Sequence, residues 1–384
     1  MIVGVPREIV SGERRIALIP ASVARLAKAG LEIRVQAEGG AASDFPDAEY
    51  EAAGAKLVDG PAPLYDSADL LVKVRPPAEH PWAERHEVDL LREGAALVGI
   101  LQPYLNPVSA RRLAERRITS FALDLLPRIT RAQNMDVLSS QSTIAGYKAV
   151  LLAANALPKL MPMMMTAAGT LRPARMLVLG AGVAGLQAIA TARRLGAIVE
   201  AFDIRSAVKE QVESLGARFV AEEALAPDAE DATGYAKEVA ADQQARQRQL
   251  LERHIREADV VLCSALVPGK RAPRLLTREQ VEQMKPGSIV MDLAAEQGGN
   301  CQLTRAGEIV EHRGVRIHGP QNLPSSMPVH ASQMLSRNIE NFLVHVLRDG
   351  ELQVDLEDPI TRSTLVTYHG EISNERVRAE LERK

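Results

Sequence analysis

Residues 175–190 read R-M-L-V-L-G-A-G-V-A-G-L-Q-A-I-A, and this stretch decides the fold. An apolar run, Met176–Leu179, meets Gly180, Gly182 and Gly185 in G-x-G-x-x-G spacing and gives way to an apolar helical pattern. Gly180 permits a tight turn, Gly182 lets backbone N–H groups approach a pyrophosphate, and Gly185 lets the helix pack close to the strand. The helix N-terminus adds unpaired donors and the positive end of its dipole. A second apolar run, Ile198–Phe202, leads into Asp203, 21 residues past Gly182, where a carboxylate accepts hydrogen bonds from an adenosine ribose. The expected nucleotide contacts are Gly180, Gly182, Val183, Ala184 and Gly185 on the turn, Asp203, Ile204 and Arg205 after the second strand, and Ala265 and Leu266 after the run Val260–Ser264. Asp203 repels a 2′-phosphate and so favours NAD(H), while Arg205 keeps a case for NADP(H). The competing explanation is a turn with incidental glycines, in which Asp203 caps a helix starting near Ser206.

Outward from this motif, strands and helices alternate. Strands are expected at Met176–Leu179, Ile198–Phe202, Val260–Ser264, Ile289–Leu293 and Val315–His318, and helices at Gly185–Leu195 and Arg205–Leu215. Toward the N-terminus the same alternation gives Ile2–Val5, a helix at Ala21–Ala29 stopped by Gly30, Leu31–Gln36, Leu70–Val74, Ala96–Leu101, a helix at Val108–Arg116 and a strand at Ile118–Leu126. A helical segment, Ser139–Leu157, joins the two series, and a helical run from Val329 to Leu347 returns the chain to the first. The expected fold is α/β, with two Rossmann-like domains, each a mainly parallel sheet wound with helices. The first domain is expected over 1–137 plus 329–384 and the second over 138–328. Between Phe219 and Arg248 apolar periodicity disappears, which reads as a mobile loop and polar helix or as a solvated insertion.

Composition narrows the class. The 384 residues are 46% hydrophobic and 25% charged, with a net charge of −3 and no basic block, so no nucleic-acid partner is expected. Pro6, Arg7 and Glu8 interrupt the first apolar run before a signal-peptide core forms, and Lys148, Pro158, Lys159 and Pro162 interrupt Thr143–Met165. A cytoplasmic protein is expected. Cys263 and Cys301 show no metal-ligand spacing, and no metal is expected.

The run G-V-P-R-E-I-V-S-G-E-R-R-I-A-L-I-P and the run L-L-V-K-V-R-P-P resemble the alanine dehydrogenase and nicotinamide nucleotide transhydrogenase superfamily. L-L-P-R-I-T-R-A-Q-N-M-D-V-L-S-S-Q-S-T-I-A-G-Y-K-A-V, P-M-M-M-T-A-A-G and T-G-Y-A-K-E resemble the NAD(H)-binding component of proton-translocating transhydrogenase. The resemblance implies a homodimer on the cytoplasmic side of the inner membrane, docked on a membrane-spanning subunit and an NADP(H)-binding subunit. It also implies that Arg128, Gln133, Asp136 and Ser139 orient the nicotinamide and face the NADP(H) partner, and that Tyr235 closes over bound nucleotide. The plainer explanation of Arg128 and Asp136 is a domain-junction ion pair, and that of Met163–Met165 is adaptable packing.

Alanine dehydrogenases of the superfamily carry a general acid/base histidine after the strand corresponding to Ala96–Leu101, because a proton moves with the hydride. Gln102 stands there in this chain, and Glu296 replaces an acidic partner. Arg15 and Lys73 match the pair that holds a substrate carboxylate, so a vestigial anion pocket is expected. Hydride transfer between two nicotinamides moves no proton at the reacting carbons and needs only orientation and exclusion of water. The resemblance therefore implies a transhydrogenase component. A stand-alone amino-acid dehydrogenase and a non-catalytic NAD-sensing or scaffold protein are the alternatives.

Overall fold

A computed structural model describes residues 1–220, 251–267 and 269–382. The chain divides into two compact units, Met1–Gln141 with Pro324–Lys384, and Ser142–Leu323. The helix Val137–Ala156 runs through the division.

In the first unit an eight-stranded sheet has the order Lys56–Val58, Glu32–Gln36, Ile2–Val5, Leu70–Val72, Ala96–Gly99, Thr119–Ala122, Leu365–Tyr368, Glu371–Ile372. The first six strands are parallel and the last two antiparallel. Both faces are covered, so the central strands are apolar throughout. Val3, Val5, Val72, Val98 and Phe121 face the helix Pro328–Val346 through its Leu335, Ile339, Phe342 and Leu343. Leu71, Leu97 and Ala122 face the opposite side, against Leu64, Tyr65, Leu113 and Val377. Period-2 alternation thus divides each strand between two cores, and each large side chain buried there contributes roughly 1.5–3 kcal/mol.

The second unit repeats the plan. Its sheet runs Arg218–Phe219, Ile198–Phe202, Arg175–Leu179, Val260–Cys263, Ile289–Asp292, Val315–His318, and is closed by antiparallel Ile309–His312. Met176, Val178, Val199, Leu262 and Met291 face one core, and Leu177, Leu179, Val261, Val290 and Ile317 the other. In both units the first strand lies between the second and the fourth, so the winding reverses at the carboxyl end of the first strand.

Several boundaries differ from the sequence reading. The strand expected to reach Leu126 stops at Ala122 and tightens into a 3-10 turn, Leu123–Leu125, because Asp124 turns back to accept the N–H groups of Leu101 and Gln102. The helix expected over Arg205–Leu215 is a 3-10 turn, Ser206–Val208, followed by Lys209–Ser214. The methionine run is not packing within its unit: Met164–Thr166 pairs with Gly169–Leu171 in an exposed hairpin. Met163, Met165 and Leu171 are 60%, 73% and 53% exposed. Among the described residues no helix is long and apolar enough to cross a membrane. Tyr235 and most of the segment from Phe219 to Arg248 lie outside the described residues.

Candidate functional site

The glycine turn sits at the reversal point of the second sheet. Gly180 has φ +99°, and a Cβ there would lie 3.0 Å from the backbone nitrogen of Ala265. A Cβ on Gly185 would lie 1.9 Å from the Gly180 carbonyl oxygen, and one on Gly146 2.1 Å from that of Ala184. The helix Val183–Arg194 is therefore seated directly on the turn. Gly182 differs, since nothing lies within 4 Å of a Cβ placed there. It is the helix N-cap and supplies no capping side chain, so the first N–H groups face an open approach. These are the features of a cradle for a pyrophosphate: closed beneath, open above, with donors and dipole aimed outward. Val183 is exposed at this mouth, with Ala184 half-buried behind it.

Asp203 is built into the same turn. Its Oδ2 accepts the Ala181 N–H at 2.7 Å and an Arg205 guanidinium N–H at 2.9 Å. Its Oδ1 accepts the Arg205 backbone N–H at 2.9 Å and Nε–H at 3.0 Å. No side chain caps the turn Ser206–Val208, so Asp203 ties the second strand to the glycine turn and does not cap the following segment. Arg205 is forked on that carboxylate, and Ile204 is half-buried beside it. Leu266 is exposed, and Ala265 is held by a residue the sequence reading did not single out. Asn300 is fully buried; it accepts the Ala265 N–H at 3.0 Å and donates to the Ala265 carbonyl at 2.9 Å. Ser264 donates to the Gly180 carbonyl at 2.9 Å. Neither contact leaves a local sequence signal, because the partners are 35 and 84 residues apart.

In the first unit, Arg128 and Gln133 are exposed on a segment with a buried underside. The 3-10 helix Thr130–Met135 buries Ala132 and Met135. Arg131 donates to Asp358 at 3.1 Å, and the Asn134 carbonyl accepts N–H from Asn338 and Asn341, each at 2.8 Å. Asp358 also accepts the Thr361 N–H and faces His345 at 2.9 Å; although burial opposes it, these partners hold its pKa down at about 2. Asp136 accepts the Ser139 N–H at 2.9 Å and hydroxyl at 2.6 Å, capping the helix Val137–Ala156. Asp136 and Ser139 are thus brought together as a helix cap, and the Asp136 N–H reaches the Gln133 carbonyl at 3.3 Å.

The expected anion pocket is filled by the chain itself. The Lys73 ammonium lies 2.6 Å from Glu87 and 3.4 Å from Glu8, all three side chains being buried. The Tyr65 hydroxyl donates to Glu87, the Ala78 N–H to Glu87 at 2.9 Å, and the Val74 N–H to Glu8 at 2.6 Å. Burial opposes the charge on Lys73, but its two carboxylates hold its pKa above the ordinary value, while burial pushes Glu8 up. Arg15 is forked on Glu13 at 2.7 and 2.6 Å and donates to Gln141 at 2.9 Å. An adjoining cavity of about 130 Å³ is lined by Arg7, Arg14 and Arg15, but equally by Glu8, Glu13 and Glu38. The vestigial anion pocket expected from Arg15 and Lys73 is therefore corrected: both cations are already matched by buried carboxylates. Gln102 has φ +49° and its N–H bonds to Asp124, whose pKa burial raises to about 6. Glu296 is exposed on a 3-10 turn.

Against known proteins, the sequence signature of "Alanine dehydrogenase/PNT, N-terminal domain" matches residues 4–145 and that of "Alanine dehydrogenase/PNT, C-terminal domain" matches 149–375. The first of the polypeptides that make up NAD(P) transhydrogenase subunit alpha in Rhodospirillum rubrum is 45% identical over 378 residues, 97% of this chain and 97% of that one. The crystal structure of transhydrogenase from Sinorhizobium meliloti superposes with a TM-score of 0.86 at 42% identity, covering 97% of this chain and 100% of the other. Alanine dehydrogenase of Bacillus subtilis is more distant, 26% identical over 389 residues, 99% of this chain and 95% of that one.

Proposed function

The chain belongs to the alanine dehydrogenase/PNT family of nicotinamide-nucleotide oxidoreductases, and from that premise we propose that it is the NAD(H)-binding component of a proton-translocating transhydrogenase. It passes hydride between NADH and NADP⁺ held by a partner subunit, and a membrane-spanning subunit couples the transfer to proton movement. One observation carries this reading against an amino-acid dehydrogenase. The nucleotide cradle is open, while the cations that would hold a substrate carboxylate are neutralised internally and Gln102 offers no proton relay.

The glycine turn and the N-terminus of the helix Val183–Arg194 would hold the pyrophosphate, and Asp203 the adenosine ribose. When bound, NADH supplies a hydride from its reduced nicotinamide ring. Arg128 and Gln133 orient that ring from their rigid ledge, with Asp136 and Ser139 fixing the ledge's exit into the helix. A homodimer is part of the proposal, supported by the apolar hairpin at Met164–Leu171, since an isolated two-stranded hairpin is marginal in water without a covering partner. The chain works on the cytoplasmic side of the inner membrane through its partner subunits.

The test uses the purified chain. It is expected to bind NADH, to reduce no NAD⁺ with alanine, and to transfer hydride when mixed with an NADP(H)-binding transhydrogenase domain. Alanine-dependent NADH formation by the lone chain, with no transfer on mixing, sinks the proposal.

A further inference from the structure

The segment that presents Arg128 and Gln133 is gripped by one buried amide. Asn338, on the helix Pro328–Val346, donates from Nδ2 to the Asn134 carbonyl at 2.8 Å and accepts the Ser140 hydroxyl on Oδ1 at 2.5 Å. Both bonds form in only one of the amide's two orientations, so its donor and its acceptor are each specified. The bonds fall on either side of the Asp136–Ser139 cap: Asn134 follows Gln133, and Ser140 follows Ser139. Asn341, three residues further along the helix, donates to the same Asn134 carbonyl at 2.8 Å, so both of its lone pairs are engaged.

The gripping helix does not yield easily. Leu335, Ile339, Phe342 and Leu343 are fully buried, and the Ser332 and Ser336 hydroxyls accept the N–H groups of Ile16 and Ile19 at 3.0 Å. Asn338 itself is only 7% exposed, a position where an apolar side chain would avoid the cost of burying an amide. The amide's contribution is therefore geometric: it fixes where the ledge stands relative to the sheet.

We infer that Asn338 is a positioning residue for hydride transfer, setting the ledge from which Arg128 and Gln133 meet the nicotinamide ring. The inference rests on the proposed transhydrogenase function. Neither of its hydrogen bonds involves the glycine turn or Asp203, so NADH affinity is fixed elsewhere and the loss falls on the transfer step.

Two substitutions test it. Asn338→Asp keeps the volume and the Ser140 bond but turns an acceptor toward the Asn134 carbonyl, whereas Asn338→Leu removes both bonds. For each, single-turnover transfer from NADH to NADP⁺ on an added NADP(H)-binding domain should slow about 10- to 100-fold while the NADH dissociation constant stays within about twofold. Amide exchange over 130–136 should quicken in both. Asn341→Ala, which leaves Asn338 on the carbonyl, should slow transfer less. Unchanged exchange overturns the inference, as does faster exchange with transfer at the wild-type rate, or an NADH affinity that falls in step with the rate. A wild-type chain that transfers nothing overturns the functional reading together with this one.

Discussion

The two units share a strand order but differ at the point where their winding reverses. In the second, the helix starts at Val183, four positions after the strand ends at Leu179, and glycines leave the space above the turn open. In the first, the chain after Val5 runs on to a helix that begins only at Pro20, so no helix dipole points at the strand end. The equivalent space there holds Lys73 with Glu8 and Glu87. One detail is common to both. The backbone N–H two residues past the first strand is received by a side chain at the end of the second: Ala181 by Asp203 at 2.7 Å, Arg7 by Gln36 at 3.1 Å. The lesson is that topology supplies a place for a ligand and local side chains decide whether it stays vacant. A charged Asp suits a diol, and a neutral Gln merely closes a turn.

The largest expected effect comes from uncorking the filled site. Lys73→Met leaves two buried carboxylates without a cation and should destabilise the protein by about 3–5 kcal/mol, read as the urea midpoint at neutral pH. NADH affinity should not change. The variant should regain stability as the pH falls, because protonation relieves both carboxylates. A midpoint within error of wild type would show that the ion cluster is not what closes this site.

The open site breaks differently. Gly185→Ala forces a methyl into the Gly180 carbonyl and should cost about 1–3 kcal/mol or more of stability, together with NADH binding. Gly182→Ala, with free space around its Cβ, should fold normally and still bind NADH poorly because the methyl stands where the phosphate approaches. Equal binding by the Gly182→Ala variant and wild type, in a fluorescence titration, would remove the pyrophosphate from this turn. Asp203→Asn should weaken NADH binding by about 1–3 kcal/mol through loss of charge-assisted hydrogen bonds to the ribose. Titration at two salt concentrations would separate that loss from any change in the Arg205 pairing.

What was legible in the sequence follows the same division. The glycine spacing and Asp203 are local patterns in which the backbone demands and the chemistry coincide, so the turn could be read directly. Alternating apolar residues likewise located the strands, since each must feed two cores. The filling of the first site was not legible from its motifs. Arg15 and Lys73 announce an anion site when read alone, and their neutralisation depends on Glu8 and Glu87, 65 and 14 residues from Lys73. Glu13, two residues before Arg15, was a signal within reach. Asn300 and Asn338 act on backbone groups far along the chain, and an isolated asparagine carries no period or spacing to betray such contacts. The same is true of Asp124, whose grip on Leu101 and Gln102 ended a strand four residues before apolar character predicted.

The smallest effect concerns how the first unit answers to pH. Burial raises Asp124 to about 6 from an ordinary value of 3.8, so the folded state holds a proton that the unfolded state has released between those values. Stability therefore falls as the pH rises from about 4 to about 6. Asp358 has the opposite sign: with a folded pKa of about 2, its contribution is present above the ordinary value and lost as the pH falls toward 2. Together the two carboxylates place a local maximum of stability near the ordinary aspartate pKa. Asp124→Asn keeps an oxygen to accept the N–H groups of Leu101 and Gln102 but cannot ionise. Urea unfolding across pH 3 to about 8 should show the wild type losing stability through the Asp124 window and the variant failing to do so, with both declining alike at the acid end. NADH affinity should be the same in both, since Asp124 belongs to the unit that closes its own reversal point. Superimposable profiles would place Asp124 among ordinary exposed carboxylates and leave the early end of its strand to be explained by the 3-10 turn alone.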